Sequence, residues 1–349
     1  MIKRSFLLLT VIALGILSAA AQDAPAASPV TYSGFFDAYY IKNLASPVTG
    51  ANKIRVFDPV DNEFNLALGE IDIQKKAEPV GFRLDLASGK VAGLALTGLI
   101  QQAYLTVVVP VGTGLTVDVG QFVTHMGYEV IESKDNWNYS RSILFGWAIP
   151  FYHTGARFSY SVLSNLTVTA HVLNGWNSVT DNNTHKTLGL TLNYAATSST
   201  GIILNAISGT EASEPSIVGK RTVFDLILTQ QISDALALAA NVDYGQERLA
   251  AGLATWKGGA LYAKYTLDPK SAVAVRGEYY NDASDFSPLA TGAAKLSEVT
   301  LTYEYKPQDN LILRGEVRSD MSDKAYFDGK TAGAEKSQLT ATIGAIVTF

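Results

Sequence analysis

The stretch from Phe122 to Tyr152 holds the chain's densest chemistry. It carries Glu129, Glu132 and Asp135 with Lys134 and Arg141, set among Tyr128, Trp137, Tyr139 and Trp147. From Ile143 to Phe151 it is too apolar to float in water. Carboxylates on such a loop, opposed by arginines on a surrounding wall, create a transverse field across a narrow gap and orient polar solutes passing through it. The wall candidates are Arg83, Asp85, Asp118, Arg157, Arg276, Glu278, Arg314, Glu316 and Arg318. A plainer reading makes the same groups mutually paired lumen charges or a solvated loop face.

No constellation for catalysis accompanies them. The chain lacks G-x-x-x-x-G-K-[ST], H-E-x-x-H and G-x-S-x-G, so a phosphate cradle, a zincin and a nucleophile elbow have no starting point. The four histidines, His125, His153, His171 and His185, are scattered. His125 and His153 bracket the loop and can approach at its base, but hydrogen-bonded imidazoles are favoured there over a metal. His171 falls in a polar register that would suit an outer-membrane lipase, yet nothing marks a nucleophile beside it. Asp181-Asn-Asn183 lacks the Gly and Glu of a calcium loop. Neither a catalytic residue, nor a metal, nor a cofactor is expected, and without cysteine there are no disulfides or thiolate sites.

The elements that must position these groups are strands. At the C-terminus Leu339, Ala341, Ile343, Ala345, Val347 and Phe349 alternate with Gln338, Thr340, Thr342, Gly344 and Thr348. That is a strand with one face in lipid and one in water. Its Thr342, Gly344, Val347 and terminal Phe349 resemble the signal by which outer-membrane barrels are recognised for insertion. At the other end, Met1 to Ala21 has Lys3 and Arg4, an apolar run from Phe6 to Ala20 and Ala19-Ala20-Ala21 before Gln22. This reads as a cleavable secretory signal peptide, too short to be a membrane anchor. Residues 22–29 then form a short mobile tail and 30–349 the barrel. Of 27 basic residues Lys3 and Arg4 are removed, leaving 25 against 32 acidic, a formal charge of −7. An exported, mildly acidic chain has no nucleic-acid footprint.

Hydrophobic residues make up 47% of the chain, dispersed in alternating segments of about ten residues rather than in helical blocks. About sixteen strands are predicted, at 31–41, 63–75, 79–86, 99–109, 114–121, 153–163, 165–174, 186–195, 200–208, 221–231, 235–244, 256–266, 271–280, 297–306, 310–318 and 338–349. Gly69 suggests a bulge in the second. Even-numbered connections are short turns and odd-numbered ones long and polar, which is the mark of an up-and-down barrel with turns on one side and loops on the other. Aromatics such as Phe35, Phe36, Tyr39, Tyr40, Tyr279, Tyr280, Tyr303 and Tyr305 suit membrane–water interfaces. The fold class is therefore all-β, a transmembrane antiparallel barrel with its long third loop folded into the lumen.

At that loop a resemblance becomes specific. Thr124-His-Met-Gly-Tyr-Glu-Val-Ile-Glu-Ser-Lys-Asp-Asn-Trp-Asn-Tyr-Ser-Arg-Ser142, continuing to Ala148-Ile-Pro-Phe-Tyr-His-Thr-Gly155, resembles the OmpL-like β-barrel porin family of bacterial outer membranes. Gly34-Phe-Phe-Asp-Ala-Tyr39, Pro79-Val-Gly-Phe-Arg-Leu-Asp85, Asn174-Gly-Trp-Asn177 and Asp181-Asn-Asn183 match as well. The likeness implies an outer-membrane porin but brings no substrate or catalytic residue. The expected function is passive diffusion of small hydrophilic solutes or ions. The alternative is a non-channel barrel, an adhesin or envelope structural protein acting through its external loops. Expected partners are outer-membrane lipids, the barrel-assembly machinery through the last strand, and the solutes, with a homotrimer as the open question of assembly.

Overall fold

Where apolar and polar residues alternate, a strand can turn one face to lipid and the other inward, and such strands satisfy every backbone group only when the sheet closes. The protein, seen in a computed structural model, does this with sixteen strands. The structure describes residues 29–95, 98–211, 219–250, 252–282, 284–285 and 294–349. The expected signal peptide and residues 22–28 of the expected tail lie outside the described residues.

The strands are β1 (Val30–Asn43), β2 (Glu63–Lys75), β3 (Val80–Ser88), β4 (Ile100–Val109), β5 (Leu115–Val123), β6 (Tyr152–Leu163), β7 (Leu166–Leu173) and β8 (Thr187–Ala195). They continue as β9 (Thr200–Gly209), β10 (Arg221–Gln231), β11 (Leu236–Leu249), β12 (Gly252–Asp268), β13 (Ser271–Asn281), β14 (Lys295–Gln308), β15 (Leu311–Ser322) and β16 (Ser337–Thr348). Each pairs antiparallel with the next, and β16 closes on β1. Among the described residues two short α-helices sit in connections, α1 (Lys90–Ala95) and α2 (Ile143–Trp147).

The alternation read in the sequence decides the faces. In β14, Val299, Leu301 and Tyr303 are exposed while Thr300, Thr302 and Glu304 are buried; in β16, Leu339, Ile343 and Val347 point out while Gln338, Thr340 and Thr342 point in. Large apolar side chains are exposed on strands all round the barrel. Left in water, each would forgo roughly 1.5–3 kcal/mol, far more in sum than the ~5–15 kcal/mol net stability of a folded chain. The outer face needs lipid.

Three details differ from the sequence reading. The β2 bulge lies at Ala67, not Gly69: register shifts as Asp37 pairs with Leu68 and Ala38 with Leu66, so Ala67 and Leu68 both turn inward. Gly69 instead receives the ring of Phe36. Strands β11 and β12 run through the expected loop at 245–255 and pair Leu249 with Gly252. Gly245 permits this, because the indole of Trp256 lies where a Cβ would be. Finally, Phe35, Tyr39 and Tyr280 do not reach the interface; their register is inward and they are buried in the barrel.

The barrel's seam, the β1–β16 ladder from Phe35 opposite Thr348 to Asn43 opposite Thr340, is extended by Gly34 and Phe349. The N–H of each donates to the other's carbonyl, at 3.1 and 3.0 Å. A Cβ on Gly34 would meet the Phe349 ring at 2.5 Å, so only glycine fits beneath it.

Candidate functional site

The third loop folds on itself before it meets the wall. Asn136 closes its first turn, accepting from Val130 N–H at 2.9 Å and donating to Val130 C=O at 2.8 Å. Ser142 caps α2 by accepting from Phe145 N–H at 3.0 Å. The N–H groups left over at the start of that helix, on Ile143 and Leu144, donate to Glu278 of β13 at 2.7 and 2.5 Å.

The loop then docks on inward side chains of the barrel. Asp225 (β10) accepts from Gly127 N–H at 3.1 Å and Asn241 (β11) from Tyr128 N–H at 3.1 Å. Asp37 (β1) accepts from Ser133 and, at 2.8 Å, from the Tyr139 hydroxyl. Glu316 (β15) takes Tyr139 and Ser140 N–H at 2.6 and 3.0 Å. Arg314 donates to the carbonyls of Ser133 and Asn136 at 2.6 and 2.7 Å, and Arg318 to that of Arg141 at 2.6 Å. Trp256 (β12) reaches Ala148 C=O at 3.0 Å. Gly344 of β16 makes room for the Tyr139 ring, whose Cε2 would lie 2.6 Å from an added Cβ.

At the centre lies Arg276. It pairs with Glu129 of the loop and Glu298 of β14, both at 2.6 Å, and donates to Ser140 C=O at 2.7 Å; all three charged side chains are buried. Removing them from water is costly, and the mutual pairing offsets that cost only because every prong is used.

The expected residues thus fall into two groups. Glu129, Arg276, Glu278, Arg314, Glu316 and Arg318 meet beneath the loop and are buried. The residue types predict loop acids facing wall arginines across a gap. Glu129 and Arg276 are instead in direct contact, so no solute passes between them. Arg141 is also buried, donating to the carbonyls of Tyr139 and Ile131 and lying 4.7 Å over the Phe57 ring. Glu132 accepts from Gln101 of β4. In the second group the basic side chains keep contact with solvent. Arg83 pairs with Asp85 at 2.8 Å, and Arg157 with Asp118 at 2.7 Å while lying between the Tyr104 and Phe122 rings. Lys134 pairs at 2.5 Å with the exposed Asp135. In the last strand Thr342 and Gly344 face in, and Val347 and Phe349 face out.

Sequence reasoning missed Asp37, Asp225, Asn241 and Trp256, whose only signal was a polar or indole group in the inward register of a strand. It also missed the first loop, which covers the third. Phe57 packs on Phe145 and Phe151, at 5.7 and 5.6 Å between ring centres, and Trp147 donates to Ile54 C=O at 3.0 Å. There burial opposes ionisation of Asp58, but the Arg55 guanidinium outweighs it and holds the carboxyl below its ordinary range. His125 stacks on His171 at 4.0 Å and lies 5.5 Å from His153, so the base of the loop gathers three imidazoles where the sequence suggested two. His153 Nδ1 contacts Gly175 C=O at 3.2 Å and its Nε2 the Thr124 hydroxyl at 3.3 Å.

A closed barrel, apolar outside and polar inside, with a long loop docked on its inner wall, defines a membrane-spanning barrel of the porin type. The chain belongs to the family described as "Putative beta-barrel porin-2, OmpL-like", which matches residues 29–349. No curated protein matches it. Solved structures share the fold at low identity. The anion-selective porin from Comamonas acidovorans is 11% identical with a TM-score of 0.65, over 92% of this chain and 99% of that one. OmpT of Vibrio cholerae in its trimer form is 12% identical with a TM-score of 0.61, over 93% and 100%. The outer membrane channel DcaP of Acinetobacter baumannii is 14% identical with a TM-score of 0.60, over 94% and 99%.

Proposed function

We propose that this barrel is an outer-membrane porin through which small hydrophilic solutes or ions diffuse passively, the third loop narrowing the bore. The observation that carries the reading is how the inner wall is divided. Against β10–β16 and β1 the wall is buried under the loop, whereas β3–β8 keep part-exposed polar groups: Arg83, Thr106, Thr116, Arg157, Ser159, Thr169 and Thr191. A strip of hydroxyls and salt-bridged charges is what an aqueous path requires. On this reading Arg83, Asp85, Asp118 and Arg157 form the wall of the path, with Lys134 and Asp135 at the loop's exposed edge. Glu129, Arg276, Glu278, Arg314, Glu316 and Arg318 hold the constriction in place.

The proposal includes export through a cleaved signal peptide, insertion by the assembly machinery reading Thr342, Gly344, Val347 and Phe349, and assembly as a homotrimer in the lipid of the outer membrane. Purified barrel added to a planar bilayer is expected to give stepwise ion currents. Folded protein that inserts yet passes no current at any voltage excludes the channel.

A further inference from the structure

Strands β2 and β3 put three acids on one patch of the inner wall. Asp72 stands directly opposite Asp85 in the register between the strands, and Glu70 lies two residues along β2 on the same face. Carboxylate oxygens of Glu70, Asp72 and Asp85 all lie within 4.8 Å of one another. Like charges opposed across an antiparallel pair repel. One guanidinium answers them only in part: Arg83 donates from Nε to both Asp85 oxygens, at 2.9 and 2.8 Å, and stays 3.9 Å from Asp72 Oδ1. Gln102 also donates to Asp85, which is thereby satisfied.

The other two acids are satisfied only in part, Asp72 accepting from the Ser33 hydroxyl at 3.3 Å on its other oxygen. Glu70 is only 2% exposed, and its Oε2 has no hydrogen-bond partner; neither has Asp72 Oδ1. Gln101, wholly buried, donates its amide to Glu132 and leaves its own Oε1 without a partner. A buried acceptor without a donor costs free energy, and ionised carboxylates have no proton to give one another. Three carboxylates against one guanidinium leave a formal charge of −2, which one divalent ion balances.

We infer that Glu70 and Asp72, with Asp85 beside them, hold one calcium ion on the inner wall of the barrel. The donors are hard oxygens with no nitrogen or sulfur among them, the set that calcium takes. Asp72 keeps part of its side chain open to the lumen, which leaves an entry and space for water ligands. Neighbouring acids on a strand impose no octahedron, so the site lacks the rigidity that magnesium demands.

Binding is measured without current, so the test is independent of the channel reading. Calcium chloride is titrated calorimetrically into folded barrel in detergent, freed of metal with EDTA. One ion per chain is expected with a Kd of about 10⁻⁴–10⁻³ M, as in extracellular sites, weakened about tenfold or more by Glu70→Gln or Asp72→Asn and unchanged by Glu78→Gln on an outer turn. Heat unfolding gives a second readout. Calcium should raise the midpoint of the native protein over EDTA and leave Glu70→Gln unmoved, while that variant in EDTA unfolds no lower than the native chain because a repelling charge is gone. Absence of binding at millimolar calcium, or binding that survives both site variants, overturns the site and leaves a shared proton as the occupant.

Discussion

Arg276 shows how far a residue's role depends on what covers it. By type and register it reads as a charge facing water, yet it is buried between Glu129 and Glu298. Arg276→Met is expected to lower stability by about 3–5 kcal/mol, since it strands two buried acids. Urea unfolding in lipid vesicles measures this, and an unshifted midpoint would contradict the pairing. Arg157 and Asp118 make a similar contact, but the Arg157 side chain stays partly in solvent, where a pair is worth less than a fully buried one. Arg157→Ala should therefore cost less stability than Arg276→Met, and Arg157→Ala or Arg83→Ala should shift ion preference toward cations. Reversal potentials in a salt gradient report it, and equal values before and after would take these residues out of the path. The long-loop acids behave differently again. At Asp328 burial opposes ionisation, but the Thr49 hydroxyl, Gly333 N–H and the Lys53 ammonium outweigh it and hold the carboxyl below its ordinary value. A depressed carboxyl contributes stability above its unfolded value, about 3.9, and loses it as pH falls through the folded one. The contact between the first and last loops should thus be intact at pH 5–8 and open only below about pH 4, as loop proteolysis by an acid-active protease against a neutral one would reveal.

At the scale of elements the third loop is a folded unit fastened by its backbone. Glu278 and Glu316 together take four of its N–H groups, from Ile143, Leu144, Tyr139 and Ser140. A carboxylate accepts such bonds about twice as strongly as a neutral amide does. Glu278→Gln with Glu316→Gln is therefore expected to loosen the loop, raising single-channel conductance and exposing the bond after Arg141 to trypsin, which it resists while Arg141 is buried. Native conductance and native trypsin resistance in the double variant would mean that the loop is held elsewhere. Gly344→Leu tests the same docking from the wall, because the new side chain occupies the place of the Tyr139 ring.

For the whole molecule the decisive contact is the seam. β1 and β16 close a sheet that otherwise has two open edges, and open edges are not tolerated in lipid. Deleting Phe349 removes both backbone bonds to Gly34 and the ring that covers it. The folded, heat-modifiable fraction recovered after refolding into vesicles should fall several-fold while the remaining strands are unaltered. Full recovery at the native rate would show that closure needs only the rest of the β1–β16 ladder.

The period of two, the turn residues and the alternation of short and long connections were legible from the residues alone, because a strand's face is decided locally by which side chain comes next. That is why Thr300 and Glu304 turned in and Leu301 and Tyr303 turned out where the alternation placed them, and why the bulge, a matter of pairing between strands, was misplaced by two residues. The candidate site was legible as a set of residues and not as an arrangement. Whether Glu129 looks at water or grips Arg276, whether Gly344 is a signal or a socket, and which acids meet at Glu70 depend on strands far apart in the chain being brought around a closed ring. Only the tertiary structure fixes that, since the energy of a charge depends on its surroundings and the sequence carries no measure of distance.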